Sequence, residues 1–229
     1  MANLTQLKML EDLDGVLLVD KPAGLAFSTV VKTVKRKFGL VKVGHGGSLD
    51  AMASGLLVVL VGDANRYAGD VMGADRAWTG TMKFGETTDT GDRHGRPAPL
   101  PEHVMSPAEA KGDLFQIEPR FCAVRREGSA QYEVADTGEH AQFLAHVYRF
   151  DVAPAEGAAD APRAFTLVAS KGVIVRALAQ DLGATLMSLR RTKVGALTVD
   201  EAVPFDRLLE TEPSDFASLV LPISRALAR

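Results

Sequence analysis

Gly44-His45-Gly46-Gly47-Ser48-Leu49-Asp50 leads into Ala51-Met52-Ala53-Ser54-Gly55-Leu56-Leu57 and then Val58-Val59-Leu60-Val61. Three glycines precede a lone carboxylate, and an unbroken apolar run follows it. Glycine lets a backbone turn sharply and lets a ligand approach it closely. An aspartate at the end of such a turn can therefore face a ligand rather than a core. The pattern predicts a short helix over 51–56, opened by Asp50, and a buried strand over 57–61. Asp50 then reads either as a helix cap or as a catalytic carboxylate. The two are compatible, because a helix N-terminus favours the ionised form that a nucleophile or base needs.

Working outward, Gly15-Val16-Leu17-Leu18-Val19 is a short β-rich run that stops at the turn cluster Asp20-Lys21-Pro22-Ala23-Gly24. Ser28 is placed to cap a helix through Lys37, with Val30, Val31, Val34 and Phe38 on one face. Residues 78–84 alternate as a half-buried strand does, and the polar stretch 87–95 reads as a loop. A short helix is expected from Ser106, and strands over 143–152 and 164–170. The Ala/Gly/Pro-rich residues 153–163 between those strands read as a loop or insertion. Leu178, Leu182 and Leu186 recur every four residues, which predicts an amphipathic helix over 176–189. A strand over 194–199 and a helical tail follow. Strands and helices mix without a βαβ rhythm, so the expected class is α+β.

The bulk numbers exclude several alternatives. At 229 residues, 46% hydrophobic and 24% charged, the chain has the make-up of a globular protein able to bury a substantial core. A net charge of −3 gives no global attraction to nucleic acid, but residues 32–42 carry five basic side chains and no acid. Arg190, Arg191 and Lys193 form a second basic cluster. Such patches are either solvated faces or phosphate contacts. The single cysteine, Cys122, excludes an intramolecular disulfide, and the five histidines lack ligand spacing, so no metal is expected. No signal peptide is visible and the longest apolar stretch is too short to span a bilayer, so a cytoplasmic protein is expected.

Among residues with chemistry to offer, Trp78 is the chain's only tryptophan and lies in Arg76-Ala77-Trp78-Thr79-Gly80. It reads as core or as a platform for a stacked base. His45 sits among glycines with little side-chain packing expected around it, free to meet a phosphate or fill a gap left by a displaced base. Arg176 at a helix start is disfavoured by the macrodipole and calls for a carboxylate or phosphate partner, or a surface salt bridge.

These segments together resemble the TruB-type pseudouridine synthases. Asp20 to Gly24 is similar to the family's DKPxG motif, and Gly44 to Leu57 to GHTGTLDPLATGLL. Phe84-Gly85 with Thr87 to Asp92 resembles LGxxTDTxD. Ser170-Lys171-Gly172 with Arg176, Asp181-Leu182-Gly183 and Leu189-Arg190-Arg191 resembles SKGTYIRxLxxDLG…LRR. The order is conserved over most of residues 15–195. The resemblance implies one catalytic domain over 1–229, α+β, with a mixed and largely antiparallel central sheet flanked by helices. It further implies cofactor-free isomerisation of the T-loop uridine of tRNA (position 55) to pseudouridine. By the same resemblance Asp50 is the catalytic carboxylate and Arg176 its partner, while His45 fills the space of the flipped uridine and Trp78 and Ile174 line the base. Lys21, Arg66, Arg190 and Arg191 contact RNA phosphates, consistent with recognition of a folded RNA by shape. The expected partner is the T-arm of tRNA, without membrane or metal, and the protein is expected to act as a monomer.

Departures from the pattern are equally concrete. Trp78 replaces a tyrosine and has no phenolic oxygen. Val173-Ile174-Val175-Arg176 replaces TYIR, Gly46-Gly47-Ser48 replaces Thr-Gly-Thr, and residues 115–124 are a diverged form of QxPPxYSAxK. Asp136 stands where arginine is common. The chain ends close to the catalytic domain, so a form without the family's C-terminal RNA-binding domain is expected. An alternative in keeping with these losses is a catalytically weakened tRNA-binding protein or RNA folding chaperone. A carboxylate-dependent hydrolase would need a second acid, for which Asp89 and Asp92 are the candidates.

Overall fold

The computed structural model describes residues 13–117, 125–126, 129–130, 142–155, 158 and 160–228. The chain runs through β1 (Gly15–Lys21), α1 (Phe27–Lys37), β2 (Val43–His45), β3 (Ser54–Val61), a 3-10 segment (Gly62–Tyr67) and α2 (Ala68–Gly73). It continues with β4 (Arg76–Phe84), β5 (Thr87–Thr88), β6 (Pro97–Ala98), β7 (Gly112–Ile117), β8 (Arg125–Arg126), β9 (Ser129–Ala130), β10 (Gln142–Val152) and β11 (Arg163–Ala169). After these come α3 (Val175–Asp181), β12 (Ala184–Val194), β13 (Leu197–Thr198), β14 (Val203–Pro204), α4 (Phe205–Glu210), β15 (Val220–Leu221) and α5 (Ser224–Leu227). The mixture of mostly antiparallel strands with separate helices is the expected α+β class.

Two compact units divide the chain, Met1–Arg76 with Arg190–Arg229, and Ala77–Leu189. In the first, β3 lies between β1 and β12, with β14 and β15 on the far side of β1. β1 and β3 pair antiparallel from Gly15↔Val61 to Lys21↔Gly55, whereas β12 joins β3 in parallel at Arg190↔Ser54 and Arg191↔Gly55. Both central strands are buried on both faces. Leu17, Val19, Leu57 and Val59 pack with Val30 and Val34 of α1, Phe38, Leu208 and Phe216. Val16, Leu18, Leu56 and Val58 pack on the other side with Val71, Val194 and Leu197. Two-sided burial is why these strands read as continuous apolar runs rather than alternating ones.

In the second unit β4 lies next to β12, followed by β11, β10 and β7. Phe150 and Phe165 meet at 5.9 Å between ring centres, and Met82 and Leu167 are fully buried. α3 is short and almost wholly buried from Val175 to Ala179.

Several local expectations are corrected. Residues 51–56 form a turn and the start of β3, not a helix. From Ser54 onward the backbone pairs with strands on both sides, which a helix of six residues could not match given its nucleation cost. The helix expected over 176–189 stops at Asp181, because Gly183 adopts φ 59° and the chain then extends as β12. Ser28 lies inside α1, whose N-cap is Ala26. Ser106 opens only a single turn, its amide donating to Glu109 Oε2 at 2.7 Å and that of Glu109 to Ser106 Oγ at 3.4 Å. The strand expected over 194–199 is a tight hairpin from β12 into β13, turning at Gly195.

Candidate active site

Asp50 sits half-buried in the connection between β2 and β3, in a turn closed by the Ala53 amide donating to Asp50 O at 3.1 Å. Its apolar neighbours Leu49, Met52 and Ala53 are buried and root the turn. The dipole of a following helix, expected from sequence, is absent. Charge comes from side chains instead. Lys21 at the end of β1 is 0% exposed, and its ammonium donates to Pro22 O at 2.8 Å, Leu25 O at 2.7 Å and Ala51 O at 3.4 Å. Arg191 on β12 is 1% exposed and donates to Leu56 O and Ser48 O, both at 2.8 Å, and to Gly47 O at 3.3 Å. Burial pushes the Lys21 ammonium down to about 8, and the nearby Asp50 carboxylate offsets part of that fall. Burial and neighbouring Arg76 likewise lower the Arg191 guanidinium, against the pull of Asp50.

The same turn is tied to the motif at 20–24 through the Gly24 amide, which donates to Ala51 O at 2.7 Å. Upstream, Gly46 donates to Val58 O at 2.8 Å, and Gly47 to His45 Nδ1 at 3.2 Å. His45 is half-buried, and its ring meets Phe27 edge-on at 4.8 Å, so it has more packing than its glycine neighbours suggest.

The structure changes two phosphate assignments. Lys21 and Arg191 are buried and aim at carbonyls, so neither is open to a phosphate. Strand parity sends Arg190 the other way, into a two-pronged pair with Asp20 at 2.9 and 2.7 Å. Asp20 was not singled out from sequence, since its partner lies 170 residues away. Arg66 remains at the surface, its side chain 76% exposed and paired with Asp63 at 3.0 Å. Lys32, Lys35, Arg36 and Lys42 are also exposed, a basic face on and beside α1.

The remaining expected site residues belong to the second unit. Trp78 lies on β4 with 7% of its surface exposed. Arg176, in the first turn of α3, donates to Thr90 O at 3.0 Å. Around it the 87–96 loop is stitched together: Thr88 Oγ1 donates to Asp92 O at 2.7 Å, Thr90 Oγ1 to Asp92 Oδ1 at 3.1 Å, and Gln180 to Thr88 O at 2.8 Å. Ile174 precedes α3, and its backbone is met on both sides by buried Gln116, whose Nε2 donates to Ile174 O at 3.2 Å and whose Oε1 accepts from Ile174 N at 2.9 Å. The sequence pattern placed Gln116 in the diverged segment 115–124 but gave it no role. Residues 118–124, including Cys122, and Asp136 lie outside the described residues. Among the described residues no group of three His, Cys, Asp or Glu is placed to hold a metal, and no helix is long and apolar enough to cross a membrane.

Residues 35–173 match the N-terminal domain of the TruB family pseudouridylate synthases. The chain belongs to that family. The tRNA pseudouridine synthase B of Burkholderia lata is 36% identical over 230 residues, covering 94% of this chain and 71% of the relative. That of Bordetella avium is 36% identical over 217 residues, covering 86% and 88%. Solved structures share the fold of this TruB-family chain. The Cbf5-Nop10-Gar1 complex gives a TM-score of 0.64 at 23% identity, and the archaeal box H/ACA sRNP Nop10-Cbf5 complex 0.65 at 20%. Each match covers 96% of this chain, which spans 63% of the solved chain. At that identity the likeness is one of fold.

Proposed function

We propose that this TruB-family protein isomerises the T-loop uridine of tRNA, position 55, to pseudouridine, with the two units serving as one catalytic domain. The reading rests chiefly on Asp50: a single half-exposed carboxylate, on a turn rooted in the sheet, at the position matching the family's catalytic aspartate. The reaction breaks the bond from the ribose C1′ to N1 of uracil and forms one from C1′ to C5; the hydrogen leaves C5 and N1 gains a proton. Asp50 promotes detachment by attacking sugar or base, or by assisting glycal formation, and the freed uracil turns before it rejoins. A stacked base hides its glycosidic bond, so the uridine must be flipped out first. His45, Trp78, Ile174 and Arg176 are assigned to that flipped uridine and the gap it leaves. Arg66 and the exposed cations of α1 meet phosphates. The protein works as a monomer in the cytoplasm.

Asp50→Asn tests the assignment, because it removes the charge while keeping the shape. Tritium release from a C5-labelled tRNA transcript is expected to fall by about a thousandfold or more, with tRNA binding and the unfolding midpoint near wild type. Retained turnover would remove Asp50 from the mechanism. A wild type that binds tRNA tightly without releasing tritium would instead favour an RNA-binding or chaperone role.

A further inference from the structure

Lys21, Gly55 and Arg191 lie abreast on three neighbouring strands, since β1 pairs Lys21 with Gly55 and β12 pairs Arg191 with the same glycine. The middle position carries no side chain and cannot. Gly55 has φ 100°, and a Cβ there would stand 2.3 Å from Arg191 O. The two cations on either side are almost completely buried and reach the same turn from opposite ends of it. Arg191 takes the carbonyls of Gly47 and Ser48, just before Asp50, and Lys21 takes that of Ala51, just after. Each also binds a second anchor, Arg191 to Leu56 O and Lys21 to Leu25 O, so neither can swing away without stranding carbonyls.

Burying two cations under a turn is costly, and simple stability would be served as well by apolar side chains. Carbonyl-gripping cations do something apolar groups cannot: they fix the direction of the peptide units that flank Asp50. We propose that Lys21 and Arg191 are positioning residues, a buried two-cation clamp that aims the Asp50 side chain by gripping the backbone on both sides of it. The inference rests on Asp50 being the reacting carboxylate, and it assigns both cations to the protein's own backbone rather than to RNA. Arg76, whose guanidinium lies against Gly47, is the third cation at this turn and is excluded from the clamp because its bonds go to Met72 O and Ala74 O.

The test uses the full chain as wild type, Arg191→Met, Arg191→Lys and Lys21→Met, and has two arms. Native-state hydrogen exchange is compared between residues 46–53 and the core of β1 and β3. The clamp predicts exchange about tenfold or more faster in the turn of Arg191→Met and Lys21→Met, with the strands unchanged. In the second arm, single-turnover pseudouridine formation is expected to drop by about a hundredfold in Arg191→Met while tRNA affinity stays within about threefold, and Arg191→Lys is expected to recover about a tenth of the wild-type rate. Loosening spread evenly over turn and strands, or a rate at the wild-type level, would overturn the clamp. Should Arg191→Met fail to fold, Arg191→Lys carries both arms, and wild-type behaviour in either overturns the proposal. An inactive wild type counts against the proposed reaction, whereas the exchange arm still decides the clamp.

Discussion

The turn that carries Asp50 and the loop that meets Arg176 are held by different means. Residues 46–53 rest on two buried cations, Lys21 and Arg191, each bound to several carbonyls. Residues 87–96 rest on many short local bonds instead: the hydroxyls of Thr88 and Thr90, the amide of Gln180, and the carboxylates of Asp92 and Asp89, which accept from the amides of His94 and Arg96, with Arg176 donating to Thr90 O. Charged donors make stronger bonds, but their desolvation is fully compensated only while every partner is in place. The first region should therefore fail abruptly when disturbed, and the second by degrees.

The largest effect is expected at Gly55. An alanine there must adopt a left-handed conformation and collide with the Arg191 carbonyl, so Gly55→Ala should lower stability by roughly 3 kcal/mol. Urea unfolding measures this, and a loss below about 1 kcal/mol would show that β3 and β12 separate easily and would break the contrast. A smaller loss is expected from Gln116→Ala in the second unit. It strands the N–H and C=O of Ile174 and should cost about 2 kcal/mol, with faster amide exchange confined to the start of α3. Global unfolding of that variant would mean that the second unit is as brittle as the turn held by Lys21 and Arg191.

The finest test is a pH dependence. The folded-state Lys21 ammonium titrates near 8, below its ordinary 10.5. Between those values the unfolded chain holds more protons than the folded one, so the Lys21 contribution to stability rises with pH. Below about 8 the lysine is charged in both states and its burial penalty is constant. Wild-type stability measured against Lys21→Met should therefore improve from pH 8 toward 10.5 and stay flat from 6 to 7.5. A flat difference throughout would mean that Lys21 is not buried as a cation.

How far the sequence revealed this arrangement differs between the two regions. β1 and β3 were visible as continuous apolar runs, because both faces of each are covered. The beginning of β3 was not, since 51–56 fits a helix as well as a strand and only its pairing with Lys21 and Arg191 decides. Leu178, Leu182 and Leu186 keep a helical interval across a helix end, so periodicity alone ran past Gly183. Motif likeness picked out Lys21, Arg190 and Arg191 as basic residues near the site but carried no direction for them. Strand parity could have warned that Arg190 and Arg191, being adjacent, face opposite ways. Gln116 fell within the diverged segment 115–124 without a role, because an amide that completes a backbone pair leaves no mark in composition or spacing.

The strands that finish the first unit come late in the chain. β12, β14 and β15 supply the neighbours of β3 and β1 from beyond residue 183, and Arg191 is among them. At synthesis speeds of roughly 5–20 residues per second, about 7 to 27 seconds separate Gly55 from Arg191 on the ribosome. Throughout that interval the nascent protein holds its glycine turn and Asp50 but lacks the arginine beneath them. On the proposed reading of Asp50, a polypeptide still being made thus carries its carboxylate unaimed, and modification of RNA waits until β12 has been added.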